Sequence, residues 1–135
     1  MELDSNVVNN VITLAEQRYF AGNVFYSKYY PNGVMPPFPE HTDSVEYAAY
    51  QTAQNSLRNY LISLDAELVH ELKVLMYLGR DNQYYGEPDG MRRFQLLYED
   101  FRAGGWDSKE IEVTVLMEKT PLPQYLRNGM AIIGQ

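Results

Sequence analysis

From Val45 to Leu64 the apolar residues return with a strict helical step, at Val45, Ala49, Ala53, Leu57, Leu61 and Leu64. A chain that repeats such spacing in one segment after another is committed to building its core from helices. The start of this segment is marked as well, because Asp43-Ser44-Val45-Glu46 has the form of a capping box, and a helix is predicted from about Ser44 to Ser63. Its small residues Ala48, Ala49 and Ala53 would let a neighbour approach closely.

Upstream, Val7, Val8, Val11, Ile12, Leu14 and Ala15 recur at the same spacing with Asp4 and Ser5 available as caps, which predicts a first helix ending near Phe20. Downstream, Asp65-Ala66-Glu67-Leu68 opens a third helix with the stripe Leu68, Leu72, Leu75 and Met76, closed by Gly79 as a left-handed cap. Pro88 and Asp89 begin a fourth, with Met91, Phe94, Leu97, Tyr98 and Phe101 inward and Gly104-Gly105 at its end. Ile111, Val113 and Val115 alternate as a strand would, but Asp107-Ser108-Lys109-Glu110 resembles a capping box and Leu116-Met117 extend the apolar set, so a helix is favoured. Thr120-Pro121 starts a short helix with Leu122, Tyr125 and Leu126, stopped by Asn128-Gly129.

Between the first two helices, Ala21 to His41 reads as a long loop rich in Pro and Tyr, with a short strand or turn at Val24 to Tyr30. The expected fold is therefore all-α, a compact bundle of five to six helices with this loop after the first. With 135 residues and no repeat, one domain spanning 1–135 is expected.

Composition narrows the function. Eleven Lys and Arg against eighteen Asp and Glu leave a net charge of -7, spread over both halves, which opposes direct binding to nucleic acid. The absence of Cys removes thiolate chemistry and Cys-ligated metals and fits a reducing cytoplasm. Acids stand at the N-terminus where a secretory signal would carry bases, and no apolar run approaches the roughly 18 residues of a spanning helix. A soluble, cytoplasmic, acidic protein with no cofactor is the expectation.

The stretches Ile62-Ser63-Leu64-Asp65, Glu71 to Asp81 and Pro121-Leu122-Pro123-Gln124-Tyr125-Leu126-Arg127-Asn128-Gly129, in that order, resemble an uncharacterised bacterial family catalogued as domain of unknown function 3775. That family is similar in its apolar first helix, its Gly-Arg-acid turn and its proline-led Leu-x-x-Tyr-Leu element. The resemblance covers roughly two-thirds of the chain and departs from it in the Pro and Tyr loop. It implies a small helical fold and a bacterial origin, and no activity.

Few residues suggest catalysis. Glu67 and His70 have the Glu-x-x-His spacing of di-iron bundles, but those need a second copy and two further acids, and the other histidine, His41, lies in the loop. His70 is expected on the solvated surface between Glu67 and Glu71, and no metal site is expected. No Gly-x-Ser-x-Gly elbow, Walker pattern or dinucleotide fingerprint occurs.

The compositional oddity is twelve tyrosines, clustered at Tyr26, Tyr29, Tyr30 and at Tyr84, Tyr85. Tyrosine offers a rigid apolar surface with one polar tip, the type of side chain that interfaces enrich. Arg80 and Asp81 follow the third helix, where a cation complements the unpaired carbonyls; a structural cap is the first reading of Arg80, and recognition of a partner's anion the second. The favoured function is a protein-interaction module, adaptor or regulator, binding a protein partner or its own copy through Tyr26, Tyr29, Tyr30, Arg80, Asp81, Tyr84 and Tyr85. The alternatives are a small-ligand protein or enzyme with a pocket of Tyr, Arg and Asp, and an acidic phage-type inhibitor of a nucleic-acid-binding protein. The balance is against an enzyme.

Overall fold

A computed structural model describes residues 3–37 and 40–134. Phe38 and Pro39 of the Pro and Tyr loop, and Met1, Glu2 and Gln135, lie outside the described residues. Six helices form the all-α bundle: α1 (Ser5–Tyr29), α2 (Val45–Ser63), α3 (Ala66–Asp81), α4 (Gly90–Gly104), α5 (Lys109–Met117) and α6 (Leu122–Ile133). No strand occurs among the described residues. Four helix starts are capped by the side chain immediately before them. Asp4 accepts from Asn6 and Val7, Ser44 from Tyr47, Asp89 from Met91 and Ser108 from Ile111, each satisfying N–H groups that the helix itself leaves open.

The central element is α3. Every side chain from Glu71 to Met76 is buried, so this helix is covered on all sides rather than along one stripe. Its partner α6 runs antiparallel to it, and the two backbones meet at glycines. A Cβ built on Gly79 would lie 1.8 Å from the carbonyl oxygen of Tyr125, and one on Gly129 would lie 2.5 Å from that of Leu75. These glycines do not cap or stop anything, contrary to the expectation from sequence. The helix α3 continues through Asp81 to Asn82, which takes the left-handed cap at φ 53°, and α6 continues through Gly129 to Gly134 at φ 88°. Both glycines are spent on close approach, which a Cβ would prevent.

The first helix is also longer than expected, since it runs through Ala21 to Tyr29, where a loop or short strand was predicted. Gly22 lies inside it, buried against the ring of Tyr50 on α2. Tertiary packing of the aromatic residues that follow outweighs the weak helix preference of this stretch. The connecting loop is correspondingly shorter, from Tyr30 to Ser44, with Gly33 at φ 72°.

Helices α1 and α2 are antiparallel: Asn10 donates to Tyr60 near one end, and Lys28 pairs with Glu46 near the other. Their contribution to the main core stops at Ala15 on α1 and starts at Leu57 on α2. The fourteen steps from Ala15 to Tyr29 rise by about 20 Å at the usual helical spacing, so a two-helix arm extends past the core. Val45, expected on the buried face, is 81 % exposed because α2 begins out on this arm.

Candidate functional site

The arm has a small aromatic core of its own. Phe25 is 3 % exposed and is ringed by Tyr26, Tyr29, Tyr30, Tyr47 and Tyr50, with centroids 5.1 to 6.4 Å away. Residues 25 and 29, and 26 and 30, stand one helical turn apart, which places both pairs on the side of α1 that meets α2. Burial raises the Tyr50 hydroxyl pKa above the ordinary phenolic value. Tyr29 donates to Glu46, which also holds Lys28 at 2.9 Å, and its ring stacks on His41. Tyr30 donates to the Glu40 carbonyl. Of the three tyrosines expected here as binding residues, Tyr29 and Tyr30 therefore serve to close the arm, and Tyr26 keeps an exposed face.

The outward face of the arm carries what sequence reasoning missed. Tyr19, Phe20 and Val24 on α1 are 50 %, 71 % and 42 % exposed, and Val34, Met35 and Val45 are exposed on the loop and the start of α2. With Phe20 taken as a helix end, the sequence alone hides the turn that puts it beside Val24 at four-residue spacing. Tyr19 and Phe20 also form one wall of a groove of about 540 Å³, whose other wall is Pro121, Pro123, Gln124 and Arg127. Arg127 pairs with Glu16, which also lines the groove, at 2.5 Å.

Arg18 fixes where the arm leaves the core. Arg18 is 6 % exposed, and its guanidinium donates to the carbonyl of Met117, the last residue of α5, at 2.7 Å and to that of Lys119, in the turn that follows, at 3.0 Å. The Met117 carbonyl is one that a helix C-terminus leaves open, where a cation is favoured, whereas the Lys119 carbonyl also accepts from the Leu122 N–H at 3.2 Å. Burial lowers the Arg18 pKa below the usual guanidinium value.

The second set of expected binding residues sits at the far end of α3. Arg80 lies within the last turn and not after it; its edge is held by Asp81 at 2.8 and 3.0 Å and its face covers Tyr77 at 4.6 Å. Asp81 accordingly raises the Arg80 pKa, and the guanidinium makes no bond to the helix carbonyls it was expected to cap. Tyr84, in the left-handed region at φ 58°, donates to Asp100, and Arg93 braces the loop through Gln83 and Asn82. Tyr85 is 82 % exposed. No hydrogen bond or ring contact among the described residues joins this set to Tyr26, Tyr29 and Tyr30, so the two clusters are separate surfaces.

His70 is not a solvated surface residue. Its Nδ1 meets Glu112 of α5, and its ring stacks on Trp106 with centroids 4.1 Å apart. Glu112 is fully buried and also takes the Lys73 ammonium at 3.2 Å, while Lys73 lies over the Phe101 ring. A carboxylate from α5 lies against α3, and only the tertiary fold brings it there. No group of three or more His, Asp or Glu side chains among the described residues is placed to hold a metal ion, and no helix among them is long and apolar enough to cross a membrane.

No family model matches the chain, and no curated protein or solved structure matches it significantly.

Proposed function

We propose that this chain is a protein-interaction module that binds through the protruding α1–α2 arm. The observation that carries the reading is the exposed row Tyr19, Phe20 and Val24 beside the 540 Å³ groove. Contiguous exposed apolar surface on a small protein is costly in water and is the usual mark of a surface covered in the working state. Glu40 and Asp43 add exposed negative charge where the loop enters α2, while Glu16 and Glu46 are paired with Arg127 and Lys28. The occupant that fits is an apolar ridge of another protein flanked by Lys or Arg, with charge complementarity fixing register and speeding encounter. The Arg80 turn is secondary in this reading, since Asp81 and Tyr77 already occupy the guanidinium.

Membership of the uncharacterised family named above belongs to the same proposal. Its support is that two of the three resembling stretches contain Gly79 and Gly129, the residues at the α3–α6 crossing. A photo-crosslinking residue placed at position 20 tests the binding surface in the native host. Covalent capture of one discrete polypeptide from position 20, and not from the exposed position 95 on α4, is expected. Equal capture from both positions contradicts the arm as the binding surface.

A further inference from the structure

A second concave surface lies on a different part of the molecule, where the start of α1 meets the start of α3. Leu3, Asp4, Asp65, Glu67, Leu68 and Glu71 line a cleft of about 480 Å³. No basic side chain is among them. Asp4 is engaged in capping α1 and Glu67 accepts from Tyr98 at 2.6 Å, but Asp65, at the cap position of α3, makes no capping bond with its side chain. Glu71 is the unusual member. It is 3 % exposed, it lines the cleft, and its Oε2 has no hydrogen-bond partner among the described residues.

Buried carboxyl oxygens are nearly always paired, so an orphan one facing a cleft points to a donor that binds there. The charged and titratable groups around Glu71 are Asp4 from the start of α1, Asp65 and Glu67 from α3, Tyr98 from α4, and the chain's own α-amino group, whose positive charge partly offsets the rise in the Glu71 pKa. On its own helix, His70 and Lys73 are turned to Glu112 and supply no counter-charge. The carboxylates are too dispersed to ligate one metal ion. Leu3 and Leu68 add apolar wall that a metal would not use. We infer that this cleft binds a primary ammonium carried on an aliphatic chain, with Glu71 Oε2 as the buried acceptor and Asp65 and Glu67 as the surrounding negative charge. Free alkylamines and a lysine side chain of another protein share this chemistry.

Burial first, and the Glu67 charge second, raise the Glu71 carboxyl from 4.5 to about 7. Ammonium binding favours the ionised form, so it releases a proton near neutrality and tightens as pH rises. This property sets the site apart from general attraction to an acidic surface.

The test is an amide-resolved NMR titration of the whole chain with cadaverine and, separately, with a peptide bearing a single lysine. Saturable shifts at Leu68 and Glu71 that tighten at least fivefold from pH 6 to pH 8 are expected. Glu71→Gln, which keeps the shape of the protonated side chain, should lose at least tenfold in affinity and all of the pH dependence. Glu99→Gln on the exposed face of α4 should change neither. Tighter binding of the peptide than of cadaverine identifies a protein lysine as the source, and the reverse identifies a free amine; either keeps the assignment. No saturable shift at the cleft, unchanged binding by Glu71→Gln, tighter binding of magnesium or calcium at the same residues, or binding that appears only after acetylation of the chain's own α-amino group would overturn it.

Discussion

Gly79 and Tyr125 meet so closely that a methyl group on the glycine would stand 1.8 Å from the tyrosine's carbonyl oxygen. The obstacle is backbone, which cannot rotate away as a side chain could. Gly79→Ala must push α6 off α3 and should destabilise the fold by about 3 kcal/mol or more, toward the upper end for overpacked sites. Gly129→Ala should act in the same direction, with its Cβ 2.5 Å from the Leu75 oxygen. Gly104, with open space around it, is the control and should tolerate Ala. Chemical denaturation of the three variants checks this order.

Arg18→Met keeps the apolar length of the side chain and removes its bonds to the Met117 and Lys119 carbonyls. Two charge-assisted hydrogen bonds in a largely buried setting suggest a loss of about 2 to 3 kcal/mol, with the freed carbonyls regaining some water. Because the contact ties α1 to the end of α5 where the arm departs, amide exchange should quicken in the arm more than in α3.

Glu112→Ala leaves the Lys73 ammonium buried and unpaired, which should cost about 3 to 5 kcal/mol. Trp106, the single tryptophan, stacks on His70 beside this network, so its emission should shift along with stability. Glu112→Leu combined with Lys73→Met removes both charges and should recover most of the loss. Equal stability of Glu112→Ala and the parent protein would contradict the network.

Glu71 gives a pH dependence whose sign is fixed. Its folded pKa is raised to about 7 from 4.5, so between these values the folded chain holds a proton that the unfolded chain has released. The stability it contributes is full below the lower value and is lost as pH rises through the upper one. Glu71→Gln should match the parent protein at acid pH and exceed it above neutrality, as thermal melts across the range would show.

Much of the helical framework is legible in the chain, because Ser44, Asp89 and Ser108 announce helix starts through local bonding that sequence displays directly. Local signals are also why α5 is readable as a helix despite its alternating Ile111, Val113 and Val115. Glycine is where reading fails. A Gly near the end of an apolar stripe serves equally as a left-handed cap or as a crossing point, and only the partner helix decides between them. At Gly79 and Gly129 the partner decides for crossing. The candidate surfaces depend still more on assembly. Phe20 and Val24 share a face only once α1 is known to continue past Gly22, and Glu71 is an orphan acceptor only because Leu3 and Asp4 arrive from α1. Several of the tyrosines expected at a binding surface instead pack within the arm around Phe25.

Phe20→Glu combined with Val24→Glu places two charges on the exposed row of the arm without touching Phe25 or the core. Melting should change little, since neither side chain is buried. Titration against the polypeptide captured from position 20 is the most direct measurement of the central claim. The account predicts a loss of about 2 kcal/mol, roughly thirtyfold in affinity, as for a side chain central to an interface. An affinity equal to that of the parent protein, with the same melting temperature, would contradict it.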